Sequence, residues 1–229
     1  GHTNLFGDDD FKNALYTIDI GQNDLSISFL SFSYAQTIER IPSFISEIKD
    51  ALWAIYQLGG RNFWVHNTGP SGCLPRELAT TNNLNISDFD QYGCIKPFND
   101  GAKVFNAKLN AMCEELRSQM ENSTIVYVDV YAIKYDLIAN FTYYGFKNPL
   151  MAFCGYGGAP YNYGPDFDKT CSGSQYDVCE EGTSYINWDG VHYTEAANAV
   201  IASKIISTHY SSPPLEFNFF CNSVATSSS

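Results

Sequence analysis

Apolar side chains recur at steps of three and four along several stretches of this chain, which is the spacing of an amphipathic helix. The longest such stripe covers residues 37–58 and ends at a Gly-Gly pair. Similar stripes predict helices over 98–120, 132–140 and 194–208. Pro42 falls near the start of the first stripe, and a proline is tolerated there only within the first helical turn.

Short apolar runs between these stripes predict β-strands. Residues 14–20 form a mostly apolar run, 62–67 follow the first long helix, and 124–131 are rich in β-branched and aromatic residues. Strands and helices therefore alternate along the chain. This alternation is typical of an α/β fold in which a parallel sheet is packed between helices on both faces.

The length of 229 residues suits one domain with a buried core and is short for two, so we expect a single domain over 1–229. Residues 143–183, rich in Gly, Tyr, Pro and Cys, predict a long loop region tied by disulfides. Residues 211–229 predict a C-terminal tail with a frayed end. Ligands of parallel α/β sheets bind beyond the carboxyl ends of the strands, which is where Asn23 and the loop 69–73 fall.

The charge of the chain narrows the choice of partners. There are 13 Lys plus Arg against 25 Asp plus Glu, a formal net charge of -12, which disfavours nucleic acid and anionic membrane surfaces. No apolar run approaches the roughly 18 to 20 residues that span a bilayer. Because the first residue is Gly rather than Met, we expect that the chain was processed or is a fragment of a longer protein.

Three N-x-S/T sequons, at Asn85, Asn122 and Asn140, stand beside seven cysteines. Together they predict glycosylation and an oxidising, secreted history. No C-x-x-C pair suggests zinc, so disulfides are the expected use of the cysteines. The expected arrangement is Cys73 with Cys94, one further pair among Cys154, Cys171 and Cys179, and a buried free thiol at Cys113.

Asp189 stands three residues before His192, in a Gly-containing turn that leads into the last predicted helix. A carboxylate in this position can hold one imidazole nitrogen and leave the other free to act as a base. The same spacing also occurs in a plain turn that caps a helix. Metal ligation by this pair is a poor alternative, because no further His or Cys lies at a suitable spacing, and we expect no metal or other cofactor.

Three separated blocks resemble the plant GDSL esterase/lipase family, a branch of the SGNH hydrolases. They are Gly-Gln-Asn-Asp at 21–24, Thr-Gly-Pro-x-Gly-Cys-Leu-Pro at 68–75, and Trp-Asp-Gly-Val-His-x-Thr-Glu-Ala-Ala-Asn at 188–198. The resemblance covers nearly the whole chain in order. It implies a three-layer αβα sandwich around a flavodoxin-like parallel sheet, a secreted glycoprotein of the extracellular space or cell wall, and hydrolysis of small-molecule or lipid esters through a serine acyl-enzyme.

The resemblance also implies roles for three residues. Asn23 would donate a hydrogen bond to the oxyanion that forms at the ester carbonyl. His192 would be the general base for a serine, and Asp189 would hold the tautomer of His192 and stabilise its imidazolium form. The alternative for Asn23 is a turn residue whose side chain bonds its own backbone.

The chain departs from the family pattern at the nucleophile. The family's serine stands in a Gly-Asp-Ser block, and a second block supplies a glycine oxyanion donor; neither is present. We therefore expect an N-terminally truncated domain that is inactive alone, with the missing segment as its partner. The strand that bears the serine would pair with strand 15–20, whose open edge should otherwise favour aggregation.

Two alternatives follow from the missing serine. Ser71 lies at a strand end between glycines, but its Gly-x-Ser-Gly setting differs from the Gly-x-Ser-x-Gly elbow of α/β-hydrolases. The second alternative is a catalytically inactive secreted glycoprotein of the same fold, which would bind a lipid, a sugar or a protein through the aromatic-rich segment 143–163.

Overall fold

Three parallel strands form the centre of the molecule in the computed structural model, which describes residues 7–164, 177–179 and 184–222. The strands β1 (Leu15–Asp19), β2 (Asn62–His66) and β3 (Thr124–Val128) lie in that order in the sheet. A two-residue strand, Ser211–Ser212, adds to β3 in the antiparallel direction. The predicted α/β fold with a mainly parallel sheet is confirmed.

Helices pack around this sheet, and two short 3-10 turns, Ser71–Cys73 and Ile86–Asp88, lie in the connections. The α-helices in the described part of the chain are α1 (Asp8–Asn13), α2 (Gln22–Ser31), α3 (Tyr34–Gln57), α4 (Pro75–Thr80), α5 (Lys96–Gln119), α6 (Val130–Ala139), α7 (Glu195–Ile206) and α8 (Phe217–Asn222). None of the described helices is both long and apolar enough to cross a membrane.

Alternate side chains of each strand enter different layers of the core. Phe63 and Val65 of β2 pack with the apolar stripes of α3 and α5. Trp64 of β2 and Val126 of β3 point to the opposite face, where Phe220 of α8 covers them. Because side chains in a strand alternate between faces, one sheet buries both sides and three layers result.

The start of α3 differs from the expected one. Ser33 caps this helix by accepting from the Gln36 amide, while the Gln36 side chain accepts from the Ser33 amide. This capping box starts the helix at Tyr34, so Pro42 lies in its interior rather than in its first turn. Pro42 is exposed and has no amide hydrogen, so α3 lacks one backbone hydrogen bond at this point.

The expected C-terminal tail, 211–229, is structured over its described part. Ser211–Ser212 joins the sheet, and α8 follows. Phe220 is only 5% exposed, and its ring meets the indole of Trp64 edge-on at 5.9 Å between centroids. Residues 211–222 are therefore part of the packed structure and not a tail. Helix α8 packs on the apolar outer face of the sheet, and the local sequence gives no sign of this surface. The expected frayed end lies outside the described residues.

Cys73 and Cys94 form the predicted disulfide. Cys113 is free and buried, as expected, and burial raises the pKa of its thiol to about 12. Cys154 is disulfide-bonded while Cys179 carries a free thiol, so these two do not pair with each other. Cys171 lies outside the described residues. Within the loop region, Cys154–Gly155 pairs with Asp177–Val178 as a short antiparallel ladder.

β1 lies at one end of the sheet, and no further strand pairs with it among the described residues. A groove of about 430 Å³ runs along this edge, between β1 and the side chains of α3. Phe44, Ile48 and Leu52 line the helix side of the groove.

Candidate active site

A cavity of about 380 Å³ opens beyond the carboxyl ends of the strands. Asn23, Ser71 and His192 all line it, although they lie far apart in the sequence. The fold therefore brings residues of all three blocks to one cavity. The other lining residues are Gln22, Ser26, Thr68, Gly69, Pro70, Leu74, Arg76, Lys134, Val191, Tyr193 and Asn198.

His192 and Asp189 form a directed pair at the rim of this cavity. His192 Nδ1 lies 2.6 Å from Asp189 Oδ2. The histidine side chain is 75% exposed, and its Nε2 has no hydrogen-bond partner in the described part of the chain. A carboxylate on Nδ1 favours the tautomer with the proton on that nitrogen, which leaves Nε2 free to accept a proton.

The turn itself fixes the Asp189 carboxylate. Its Oδ1 accepts the backbone N–H groups of Val191 at 2.9 Å and His192 at 2.8 Å. Burial acts to raise the pKa of Asp189, but the hydrogen bonds from the His192 amide, the His192 ring and the Val191 amide outweigh it, so the pKa is lowered. Asp189 is therefore held as the anion that a protonated His192 needs.

The plain alternative for Asp189 was a turn and helix cap. The turn is present, because Asp189 Oδ1 accepts the Val191 and His192 amides, but the cap is not formed by Asp189. Helix α7 is capped by Thr194, whose Oγ1 accepts from the Ala197 amide at 3.2 Å and donates to the Tyr185 carbonyl at 2.7 Å. Asp189 lies in the tighter turn before it. The carboxylate serves the His192 loop and is not needed to start the helix.

Asn23 lies in the first turn of α2, a helix that the sequence pattern did not predict. Its side chain is exposed, lines the cavity and makes no hydrogen bond to any described residue, so it does not bond its own backbone. Gly21 caps the helix with φ +113°, and the ring of Phe105 occupies the space that a Cβ would take. Gly21 is thus required both by its backbone conformation and by the close approach of Phe105.

Two serines line the described cavity, and both have other partners. Ser71 is 8% exposed and donates to the Phe98 carbonyl at 3.4 Å. Ser26 donates to Glu77 Oε1 at 2.7 Å. Neither hydroxyl is hydrogen-bonded to the His192 ring, so neither has the contact that activates a nucleophilic serine.

Arg76 and its neighbours connect several parts of the site, and sequence reasoning missed them. The Arg76 guanidinium lies 2.6 Å from the fully buried Glu77 carboxylate and also contacts Ser26. The Arg76 amide donates to the Gly190 carbonyl at 3.1 Å. This network ties α2 and α4 to the turn that carries His192. The adjacent Arg-Glu pair at the start of a helix was the available signal, but it is equally typical of a solvated surface.

Metal ligation was the other alternative for Asp189 and His192. In residues 7–164, 177–179 and 184–222, no group of three or more His, Cys, Asp or Glu side chains is close enough together to hold a metal ion. The pairing of Asp189 with His192 accounts for both side chains without one.

Comparison with known proteins agrees with these features. The sequence model of the GDSL-like Lipase/Acylhydrolase family matches residues 3–205. The chain is 55% identical over 212 residues to GDSL esterase/lipase LIP-4 and 52% identical over 218 residues to GDSL esterase/lipase At1g09390, both of Arabidopsis thaliana. It is 42% identical over 205 residues to Alpha-L-fucosidase 3 of the same plant.

The alignments cover most of this chain but not most of the relatives. The alignment with LIP-4 covers 92% of this chain and 56% of the relative, and that with At1g09390 covers 95% and 58%. The alignment with Alpha-L-fucosidase 3 covers 86% and 55%. The chain thus spans a little over half the length of these curated relatives. On the family match and on these identities, the chain belongs to the GDSL-like lipase/acylhydrolase family.

Proposed function

We propose that this chain supplies the base, its orienting acid and one oxyanion donor of a carboxylic ester hydrolase that acts through a serine acyl-enzyme. The observation that carries the proposal is the directed Asp189–His192 pair. His192 of this pair lines the same cavity as Asn23, whose side chain has no hydrogen-bond partner among the described residues. Membership of the GDSL family supports ester hydrolysis as the reaction class.

In this mechanism His192 Nε2 takes the proton of a serine hydroxyl as the serine oxygen attacks the ester carbonyl. Asp189 stabilises the imidazolium that forms, and Asn23 donates its side-chain N–H to the tetrahedral oxyanion. The imidazolium then gives its proton to the leaving alcohol. Water repeats the sequence on the acyl-enzyme, with His192 as the base again, and releases the carboxylic acid.

The nucleophile in this proposal comes from a segment outside the printed sequence. Ser26 and Ser71 are engaged elsewhere, and the open edge of β1 ends at the cavity side of the sheet. A parallel strand added at that edge would deliver a residue at its carboxyl end next to Asn23 and His192. The apolar groove between β1 and α3 offers it a packing surface, and the greater length of the relatives is compatible with such a segment.

Hydrolysis of p-nitrophenyl butyrate tests the proposal. The chain should be inactive alone and active when joined to, or mixed with, an N-terminal segment that contains a Gly-Asp-Ser block. His192→Ala in the active form should lower kcat by about 10⁴- to 10⁶-fold, whereas His209→Ala, at an exposed histidine outside the cavity, should leave kcat unchanged. Equal activity of the His192→Ala variant would refute the assignment of the base.

The non-enzymatic alternative predicts a different result in the same assay. A secreted glycoprotein of this fold that only binds a lipid, sugar or protein would show no hydrolysis with or without the added segment. Glycoside hydrolysis, which the name of one relative describes, commonly uses two carboxylates that flank the bond. The described lining of the cavity contains no Asp or Glu, so the geometry favours the ester reaction.

We also propose that the protein is secreted and glycosylated, in the extracellular space or cell wall. The side chains of Asn85, Asn122 and Asn140 are all exposed, as acceptors of glycans must be. The Cys73–Cys94 disulfide agrees with an oxidising compartment. Removal of N-glycans from the protein isolated from its natural source should lower its apparent mass; an unchanged mass would contradict the glycosylation proposal.

A further inference from the structure

Lys134 of α6 reaches the same cavity as Asn23 and His192. Its Nζ lies 4.6 Å from the centre of the Tyr193 ring. Its side chain also packs against Gly69, where a Cβ would meet Lys134 Cδ at 2.8 Å. Gly69 and Tyr193 belong to two of the blocks that build the site, so the lysine is held between them rather than free in solvent.

The ammonium group of Lys134 has no carboxylate within 4.0 Å and no hydrogen-bond acceptor among the described residues. The other cation of the cavity, Arg76, is different, because it is paired with Glu77. Burial lowers the pKa of Lys134, and the negative charge of Asp19 acts in the opposite direction without outweighing it. A partly buried cation that lacks an anion is unfavourable by itself, even in contact with an aromatic face.

The surroundings make this position unusual for the chain. The net charge is -12, so carboxylates are abundant, yet none of the described ones faces the Lys134 ammonium at ion-pair distance. Lys49 and Lys204 have such partners, Glu115 at 2.7 Å and Asp136 at 3.0 Å. Apart from Lys134, the described lysines without an ion-pair partner are exposed, so Lys134 combines partial burial with the lack of a counter-charge.

We propose that Lys134 binds a carboxylate on the ligand, so that the cavity is built for esters whose acyl or alcohol part carries a second, anionic group. This inference rests on the proposed function only in taking the ligand to be an ester. The binding of a carboxylate by Lys134 does not depend on that reaction. The ligand carboxylate would complete the charge pair at Lys134, while the ester group lies towards Asn23 and His192. A charged hydrogen bond of this kind typically changes affinity by roughly tenfold to a hundredfold.

The test compares two probes that differ in one charge, monomethyl glutarate and dimethyl glutarate, by calorimetric titration of the 229-residue chain. Monomethyl glutarate should bind about tenfold or more tightly than the diester. Lys134→Met should bring the ratio of the two dissociation constants close to one. Lys134→Arg should keep most of the preference for the monoester. Lys108→Met, at an exposed lysine of α5 outside the cavity, alters net charge equally and should leave the ratio as in the unchanged chain.

Equal affinity for the two probes, no binding of the monoester, or an unchanged ratio in Lys134→Met would overturn the inference. Thermal unfolding of each variant controls for loss of fold, and Lys134→Arg carries the test if the methionine variant does not fold. Because binding needs no serine, this experiment can succeed when the hydrolysis assay fails. The binding experiment can likewise fail when hydrolysis of a neutral ester succeeds, so the two proposals are tested separately.

Discussion

Gly21 stands two residues before Asn23, and replacing it with alanine should destabilise the fold through a contact that can be isolated. Its φ of +113° is one that residues with a Cβ rarely adopt, and its missing Cβ leaves the space that the Phe105 ring fills. Gly59 provides a matched control. Its φ is +105°, but nothing lies within 4 Å of where its Cβ would be.

The two substitutions separate the backbone cost from the packing cost. Gly59→Ala should lower the free energy of unfolding by about 1–2 kcal/mol, the cost of a left-handed conformation for a residue with a Cβ. Gly21→Ala should cost the same amount plus about 1–3 kcal/mol for overpacking against the Phe105 ring. The predicted difference between the two variants is therefore about 1–3 kcal/mol.

Urea unfolding followed by fluorescence measures both variants and tests the origin of the difference. If the Phe105 ring is the obstacle, Gly21→Ala should be less harmful in a Phe105→Leu background than in the original chain. Unfolding free energies that agree within error for Gly21→Ala and Gly59→Ala would refute the packing argument. A cost of Gly21→Ala that does not depend on residue 105 would refute it as well.

Three further predictions concern Asp189 and α8. Asp189→Asn should lower kcat for p-nitrophenyl butyrate about 10⁴-fold in the active form, because an amide favours the wrong tautomer of His192; a loss below tenfold would contradict this role. The lowered pKa of Asp189 stabilises the fold above the ordinary carboxyl pKa of about 4. That stability is lost as pH falls through the pKa that Asp189 has in the folded state. The free energy of unfolding of Asp189→Asn should therefore fall less than that of the original chain between neutral pH and pH of about 2. The same fall in both chains would contradict this. Phe220→Ala should cost about 3–5 kcal/mol, whereas Phe219→Ala, at a side chain 49% exposed, should cost less than about 1 kcal/mol; equal melting temperatures of these two variants would contradict the docking of α8.

Sequence periodicity predicted the elements that have one apolar face. The stripes of α3 and α5 and the apolar runs of β2 and β3 are long enough to be read directly, and the alternation of strand and helix then fixes the layers. Helix α2 was missed because it is short and its apolar residues do not gather on one side. Ile27 and Leu30 are exposed while Leu25 is buried, so no period stands out.

The candidate site was predictable only where its residues lie in recognisable blocks. Asn23 and His192 come from such blocks, and the carboxyl ends of parallel strands bring them together. Lys134 has no such local signal, and the Arg-Glu pair at 76–77 is equally typical of a solvated surface. The positions of Lys134 and Arg76 depend on how α6 and α4 pack in the tertiary structure and not on spacing along the chain.

In the proposed mechanism, His192 acts on a serine that a further segment supplies. Labelling with a fluorophosphonate, followed by mapping of the modified residue, tests it most directly in the chain supplied with a Gly-Asp-Ser segment. We expect one adduct, on the serine of the added segment, which forms with the original chain and is lost with His192→Ala. An adduct on Ser71 or Ser26, or labelling of the added serine that does not depend on His192, would contradict it.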